Sequence, residues 1–365
     1  MWDRTVRLGD ICSFNSKSYT PKMNWDFVNY LDTGNITNGE IQAIQQIDLR
    51  TEKLPSRAKR CVKYNSIVYS TVRPNQRHFG IMKNIPDNFL VSTGFAVLDI
   101  DEKQADADFI YYYLMQEDII NGLEALAEQN TSTYPSIKPS DIADVVIHLP
   151  NLSVQHQIAA ILTALDAKKA INQKINDNLQ QQAQAIYMSF FVKNADASWE
   201  KGHLSNLVNI KYGKDHKNLA DGIYPVYGSG GIIRYAEKFL YDKESVLVPR
   251  KGTLNNVIYV NQPFWSVDTM FYTEMKLPNI AKFVFHFIKS KDLNALNAGS
   301  AVPSMTTSLL NAMEVLIPPQ PILERFEAIV SPMYDIMQKN AEQNKTLLGL
   351  RNCLLFPLIT NRIHL

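Results

Sequence analysis

Two polar segments, one in each half of the chain, carry side chains that could read the edges of nucleic-acid bases. Residues 70–78 directly follow a predicted strand and combine two guanidinium groups, two amides and one imidazole. Residues 250–256 occupy the corresponding position after a strand in the second half. Arginine suits bidentate hydrogen bonding to guanine in the major groove, and asparagine or glutamine suits adenine. The two segments therefore predict binding to DNA.

The candidate contacts also include hydroxyl, amide and cationic side chains from neighbouring loops. The basic stretch at residues 211–217 suits phosphate groups, which position a protein on a duplex without reading its sequence. For any single candidate, an ordinary solvated loop residue is the alternative. The candidates are Lys17, Arg73, Asn75, Gln76, Arg77, His78, Thr133, Tyr134, Lys211, Lys214, His216, Lys217, Tyr227, Ser229, Arg250, Lys251 and Thr253.

The motifs of several enzyme classes are missing. The sequence contains neither the phosphate-binding pattern GxxxxGK[ST] nor the zinc pattern HExxH, and its histidines are scattered. The glycines at residues 228–231 do not lead from a clear strand into a helix with a later ribose-binding acid. An enzyme that methylates the amino group of adenine should carry the motif Asn/Asp-Pro-Pro-Tyr/Phe. Residues 317–320 lack both the acid or amide and the aromatic residue of this motif. We therefore predict a non-catalytic chain with neither metal nor cofactor of its own.

The elements that position these segments are duplicated. Pro150 and Pro318 are separated by 318 − 150 = 168 residues, and the same offset pairs Asn172 with Asn340 and Asn176 with Asn344. A single offset that holds through loop, strand and helix indicates an internal repeat. The repeat predicts approximate two-fold symmetry within one chain.

Each copy begins as mixed α/β and ends in a long helix. Residues 28–31, 66–72 and 94–100 are β-type runs, residues 224–231 a turn-rich loop, and residues 108–126 have helical spacing. We predict α/β (α+β) domains at residues 1–150 and 194–319. Long helices at residues 151–193 and 320–365 follow them and pair as an antiparallel intrachain coiled coil.

The predicted helical seams follow alternating three- and four-residue steps, as in a coiled coil. Polar residues interrupt both seams, and polar seam residues fix register at a cost in stability. Pro332 predicts a kink or break near Ser331 because proline lacks the backbone donor. A coiled coil between separate chains is the alternative to the intrachain pair. The predicted seams are Ile158, Ile161, Leu165, Lys168, Asn172, Ile175, Leu179, Gln182 and Ile186, and Phe326, Ile329, Met333, Ile336, Asn340, Gln343, Leu347, Leu350 and Leu354, with Lys168, Asn172, Asn340 and Gln343 as register residues.

Composition is that of an ordinary globular protein. The chain has 365 residues, 45% hydrophobic and 20% charged content, and a formal net charge of +1. A neutral total still permits local basic loops. Three distant cysteines fit neither a disulfide framework nor a zinc site. No apolar run reaches the roughly 18 residues of a membrane span, and no secretory signal is apparent, so we expect a cytoplasmic protein.

The order of several motifs, together with the duplication, resembles the specificity subunit of type I restriction–modification systems. The strings at residues 149–158, 165–166 and 171–176 are similar to the central helical region of that family. Those at residues 31–39, 224–231, 250–253 and 263–269 resemble its target-recognition domains.

The resemblance implies two target-recognition domains that each read one half of an interrupted, asymmetric DNA site. The helices would set the unread gap and dock two methyltransferase subunits, which bind S-adenosylmethionine and methylate adenine. Restriction subunits would add ATP- and Mg-dependent cleavage. Two alternatives stay open: a specificity subunit of another restriction system with a fused endonuclease–methyltransferase partner, and a coiled-coil scaffold whose domains bind protein.

Overall fold

Residues 1–171 and 343–365 form the first of two units, and residues 172–342 form the second. The protein is represented by a computed structural model that describes residues 4–130, 135–296, 304–360 and 362–363. The candidate contacts Thr133 and Tyr134 lie outside the described residues. The boundaries at 171/172 and 342/343 fall within the two long helices, so each unit contains a segment of both.

The secondary structure alternates short strands with a few helices. The strands are β1 (Arg4–Arg7), β2 (Cys12–Phe14), β3 (Phe27–Leu31), β4 (Ile36–Thr37), β5 (Glu40–Ile41), β6 (Gln45–Asp48), β7 (Ala58–Cys61), β8 (Ile67–Ser70), β9 (Phe79–Ile81), β10 (Phe89–Ser92), β11 (Phe95–Ile100), β12 (Val146–Leu149), β13 (Glu200–His203), β14 (Val208–Tyr212), β15 (Asp221–Gly228), β16 (Gly231–Ala236), β17 (Ser245–Pro249), β18 (Ile258–Val260), β19 (Trp265–Ser266), β20 (Met270–Met275) and β21 (Glu314–Ile317). The helices are α1 (Ala107–Leu114), α2 (Glu117–Asn130), α3 (Pro139–Ala143), α4 (Leu152–Met188), α5 (Leu204–Leu207), α6 (Ala281–Lys289), α7 (Thr307–Asn311) and α8 (Gln320–Ile359).

The four-stranded antiparallel sheets of the two units share one topology. In the first unit an antiparallel sheet has the order β2-β11-β8-β9, and in the second unit the order is β14-β20-β17-β18. A second sheet contains one parallel pair in each unit, β3 with β10 and β15 with β19. The strands β1 and β13 pair with β12 and β21, which precede the long helices. The internal repeat and the predicted α/β fold class are confirmed.

Most predicted elements occur, with two differences in detail. The run at 108–126 forms two helices, and the side chain of Asp106 caps the first by accepting from the backbone N–H of Phe109 at 2.8 Å. The segment predicted as a loop at 224–231 forms the end of β15 and the turn into β16. Alternation of apolar and polar residues is weak there, which hides the strand from sequence analysis.

Both long helices form as predicted. The first, α4, ends in a π-helical turn at Ser189–Lys193, and α8 runs from Gln320 to Ile359 without interruption. The expectation of a kink or break near Ser331 is therefore wrong as regards a break, and a kink stays a prediction. Pro332 lies on the exposed face, and its neighbours Val330 and Tyr334 are buried, so packing offsets the one hydrogen bond that proline removes.

The buried face of each long helix matches the predicted seam only in part, with Ile158, Asn172 and Phe326 buried as predicted. In the second unit α4 packs through Ala183 and Tyr187 against Phe326 and Val330 of α8. In the first unit Leu162 and Leu358 are the corresponding buried contacts. Seven predicted seam residues are instead exposed: Lys168, Ile175, Gln182, Ile329, Ile336, Gln343 and Leu350.

Asparagine side chains join the helices in each unit. In the second unit the Nδ2 of Asn176 donates to the carbonyl oxygen of Met337 at 3.1 Å, and the Nδ2 of Asn340 donates to the Oδ1 of Asn176 at 2.8 Å. In the first unit the Nδ2 of Asn344 donates to the carbonyl oxygen of Lys169 at 3.4 Å. The carbonyl bonds of Asn176 and Asn344 are equivalent in the repeat, and both sets of contacts run antiparallel.

Two of the four predicted register residues therefore need correction. Lys168 and Gln343 are exposed on their helices, whereas Asn172 is fully buried and Asn340 is half-buried. A pattern of three- and four-residue steps does not determine which of two adjacent residues faces the partner helix. The predicted seam therefore includes Lys168, although Lys169 is the residue that contacts the partner helix.

A buried histidine connects the second unit's α6 to both long helices. The Nδ1 of His286 donates to the Oε1 of Gln184 at 2.7 Å, and the hydroxyl of Tyr334 donates to Nε2 at 2.9 Å. Burial, with a smaller contribution from Lys289, lowers the pKa of His286 to about 3. A neutral imidazole donates through Nδ1 and accepts at Nε2, so it forms both hydrogen bonds. The folded unit therefore disfavours a second proton on the His286 ring.

The second unit should lose stability as the pH falls from about 6.5 towards 3. In that window the unfolded histidine binds a proton that the folded His286 does not, so the free energy of unfolding falls by up to about 1.4 kcal/mol per pH unit. Chemical denaturation at a series of pH values measures this slope. A His286→Gln variant should have a shallower slope, and an unchanged slope would contradict the assignment.

Candidate DNA interface

The sheet topology gathers the candidate residues at one edge in each unit. Strands β2 and β8 both run antiparallel to β11, so both end at the same edge of their sheet. Strands β14 and β17 end together in the same way, because both run antiparallel to β20. The loops that leave these strands contain most of the candidate contacts.

In the second unit, backbone hydrogen bonds hold the loop after β17. The N–H of Arg250 donates to the carbonyl of Thr269 at 2.8 Å, and the carbonyl of Arg250 accepts from the N–H of Met305 at 2.9 Å. A β-bridge then joins Lys251 to Ser304, and Gly252 has a φ of 86°, where glycine is strongly preferred. Lys251 and Thr253 are consequently presented as exposed side chains.

The hairpin between β15 and β16 lies against this loop. The Nδ2 of Asn256 donates to the carbonyl of Ser229 at 2.7 Å. A Cβ built on Gly252 would lie 3.0 Å from the Oγ of Ser229, so the two loops are in close contact. Ser229 and the 250–253 loop therefore belong to one surface.

The basic stretch after β14 completes the edge in the second unit. Lys214 and Lys217 are exposed, while Lys211 lies 3.6 Å from the carboxylate of Glu274. The backbone N–H of Lys217 donates to Asp215 at 3.0 Å and lowers the pKa of that carboxyl. His216 is only half-exposed, and its Nδ1 is buried with no partner among the described atoms.

Tyr227 does not belong to this surface. Only 8% of it is exposed, its ring packs edge-on against Phe264, and burial raises the pKa of its hydroxyl. The candidate contact at Tyr227 is therefore corrected to a core residue, because it lies on an inward-facing position of β15.

In the first unit, the loop after β8 has the equivalent backbone bonds. The N–H of Thr71 donates to the carbonyl of Gly94 at 2.8 Å, and its carbonyl accepts from Ile137 at 2.8 Å. Val72 forms the β-bridge to Ser136. Thr71 thus corresponds to Arg250, and the predicted correspondence of the two loops is confirmed.

This loop contains two non-glycine residues in the left-handed region. Arg73 has a φ of 47° and Arg77 a φ of 56°, on either side of a 3-10 turn at Pro74–Gln76. Such conformations cost of order 1–3 kcal/mol each and concentrate at functional sites. Arg73, Asn75 and Gln76 are exposed.

Arg77 and His78 have structural partners. The Nη2 of Arg77 donates to the carboxylate of Glu117 at 2.6 Å. The Nδ1 of His78 lies 2.7 Å from the carbonyl of Ile36. These bonds hold the loop onto α2 and β4, so Arg73, Asn75 and Gln76 are the better placed candidates. Nothing in the sequence near Arg77 indicates its acidic partner 40 residues away.

Lys17 lies in the loop that follows β2, at the same edge of the sheet, and is exposed. Its carbonyl oxygen accepts a hydrogen bond from the N–H of Cys61 at 3.0 Å. Tyr212, which contacts Arg250, is not among the residues predicted from the sequence. Asn256, which contacts Ser229, belongs to the predicted segment 250–256 but is not among the predicted contacts. Tyr212 lies within the basic stretch at 211–217, and an aromatic residue among lysines is the sequence signal that could have indicated it.

No helix in the described part of the chain is long and apolar enough to cross a membrane.

Comparison with known proteins gives the family. A family model described as "Type I restriction modification DNA specificity domain" matches residues 2–181 and 197–347. The chain therefore belongs to the DNA specificity family of type I restriction–modification systems, as the sequence motifs predict.

Individual relatives agree with this family. The specificity subunit of the type I restriction enzyme MjaIX from Methanocaldococcus jannaschii is 22% identical over 398 residues, which cover 94% of this chain and 86% of that protein. The HindI specificity subunit from Haemophilus influenzae is 29% identical over 163 residues, 45% of this chain and 35% of that subunit. The crystal structure of an S subunit from M. genitalium has the same fold, with a TM-score of 0.62, 18% identity and coverage of 98% and 96% of the two chains.

Proposed function

We propose that this chain is a non-catalytic specificity subunit whose two recognition domains each read one half of a bipartite DNA site. The observation that carries the proposal is the repeated sheet edge, where equivalent backbone bonds at Thr71 and Arg250 present two polar loops. Loops held on a rigid sheet can place side chains in a groove with little ordering cost on binding.

The side chains on the two edges differ, which supports an asymmetric site. The first edge presents Arg73, Asn75 and Gln76, whereas the second presents Arg250, Lys251 and Thr253. Amides favour adenine and guanidinium groups favour guanine. The two half-sites should therefore have different sequences.

The long helices would set the gap between the half-sites. Asn176 and Asn344 donate to backbone carbonyls of the opposite helix, and a shift of the helices along each other breaks these bonds. Both amides are half-buried, and loss of such a hydrogen bond costs about 0.5–1.5 kcal/mol. The asparagines thus favour one alignment, and with it one gap length.

The internal repeat also suits a partner present in two copies, because a pseudo-two-fold chain offers two similar docking surfaces. We propose two methyltransferase subunits, which would bind S-adenosylmethionine, and restriction subunits, which would bind ATP and Mg. A specificity subunit for a fused endonuclease–methyltransferase partner has the same recognition chemistry. A protein-binding scaffold lacks it.

Selection from a random DNA pool tests this function. The chain together with its methyltransferase partner and S-adenosylmethionine should methylate adenines within two short conserved segments separated by an unread gap. The Arg73→Ala variant should relax only one segment by roughly 10-fold or more, and Arg77→Ala, through its bond to Glu117, should act mainly on loop stability. A pool without any enriched motif would favour the scaffold.

A further inference from the structure

One cationic side chain on the second edge is held more firmly than the others. The guanidinium of Arg250 lies 5.4 Å from the centre of the Tyr212 ring, and its Nη1 donates to the carbonyl of Asp268 at 3.4 Å. Tyr212 is itself positioned by Phe271, edge to face at 5.0 Å. Arg250 is half-buried, and bonds on both sides of its Cα anchor its backbone to Thr269 and Met305.

The guanidinium retains donors for a ligand. Among the described residues none accepts from its Nε or Nη2, so one edge of the planar group remains available. Lys214, Lys217 and Lys251 differ, because they are exposed and no described carboxylate or carbonyl holds their ammonium groups. A pre-oriented fork suits bidentate recognition, whereas flexible ammonium groups suit phosphates.

We propose that Arg250 reads a guanine base in the half-site of the second domain and that Tyr212 is the positioning residue for its guanidinium. This inference rests on the proposed function and adds the base and the residue that reads it. A bidentate pair from arginine to the O6 and N7 of guanine discriminates against other bases by about 1–3 kcal/mol. The cation–π contact with Tyr212 restricts the motion of the guanidinium before the base is bound.

The equivalent position in the first domain does not carry this arrangement. The residue there is Thr71, whose hydroxyl donates to the carbonyl of Gly94 at 2.9 Å. The guanine contact of Arg250 is therefore expected only in the half-site of the second domain, and loss of Arg250 should leave the other half-site unchanged.

The test compares methylation motifs of the wild-type complex and of variants in the random-pool experiment. Arg250→Ala and Arg250→Lys should each reduce the preference for guanine at one position of one half-site by roughly 10- to 100-fold. Lys251→Ala is the matched control, which should weaken binding to all sequences equally and lower its salt dependence.

Variants of Tyr212 test the positioning. Tyr212→Phe keeps the ring and should preserve the guanine preference, whereas Tyr212→Leu should reduce it severalfold with the melting temperature of the complex nearly unchanged. A uniform loss for Arg250→Ala across all sequences would make Arg250 a phosphate contact, and an unchanged motif would exclude it altogether. If the wild-type complex selects no motif, the proposed function fails as well.

Discussion

Insertion of seven residues into both long helices, after Ile171 in α4 and after Glu342 in α8, should lengthen the tolerated gap by up to about three base pairs. Seven helical residues add roughly 10 Å at 1.5 Å per residue, and a base pair rises about 3.4 Å. The two insertions fall between the units, so the bonds of Asn176 to Met337 and of Asn344 to Lys169 are both retained.

A seven-residue insertion after Asn172 alone is the matched control. It shifts α4 against α8, so either the bond to Met337 or the bond to Lys169 must break. We expect this variant to lose methylation of bipartite sites rather than accept a longer gap. The methylated motifs from a random pool report both outcomes, and an unchanged gap for the double insertion would contradict the spacing role of the helices.

Truncation of Phe326 should cost about 3–5 kcal/mol in the free energy of unfolding. Its ring is fully buried in the second unit and lies 5.0 Å from the ring of Phe191 and 6.3 Å from that of Tyr187. Phe326→Ala removes these contacts and leaves a cavity in the core of the second unit.

The control for this variant is Ile329→Ala. Ile329 belongs to the same predicted seam but is 39% exposed, so its truncation should cost less than about 1 kcal/mol. Chemical denaturation followed by circular dichroism compares the two variants. Equal losses would show that the predicted seam describes the packing better than the observed buried face.

Much of the fold follows from local sequence signals. The 168-residue offset predicts the duplication, and runs such as 66–72 predict β8 because they are rich in β-branched and aromatic residues. The parallel pair of β3 with β10 could not be predicted in the same way. It joins segments about 60 residues apart, and such pairing depends on which strands the tertiary fold brings together.

The candidate site was predictable where a side chain's role depends on its loop, and less so where it depends on distant neighbours. Arg73, Ser229 and Lys251 lie at the expected sheet edges because they follow strands or turns that the sequence indicates. Tyr227 and Arg77 are different, since a buried aromatic core and the carboxylate of Glu117 determine where their side chains lie.

The first unit is assembled from both ends of the sequence, with Leu358 and Ile359 in the same core as Leu8 and Phe109. During synthesis on the ribosome, residues 172–342 of the second unit are complete before residues 343–365 of the first unit are made. The first unit therefore completes its core only when the last turns of α8 have been synthesised. A product of early termination would expose the apolar face of α4 in the first unit, and chaperones and proteases would remove such partly folded chains.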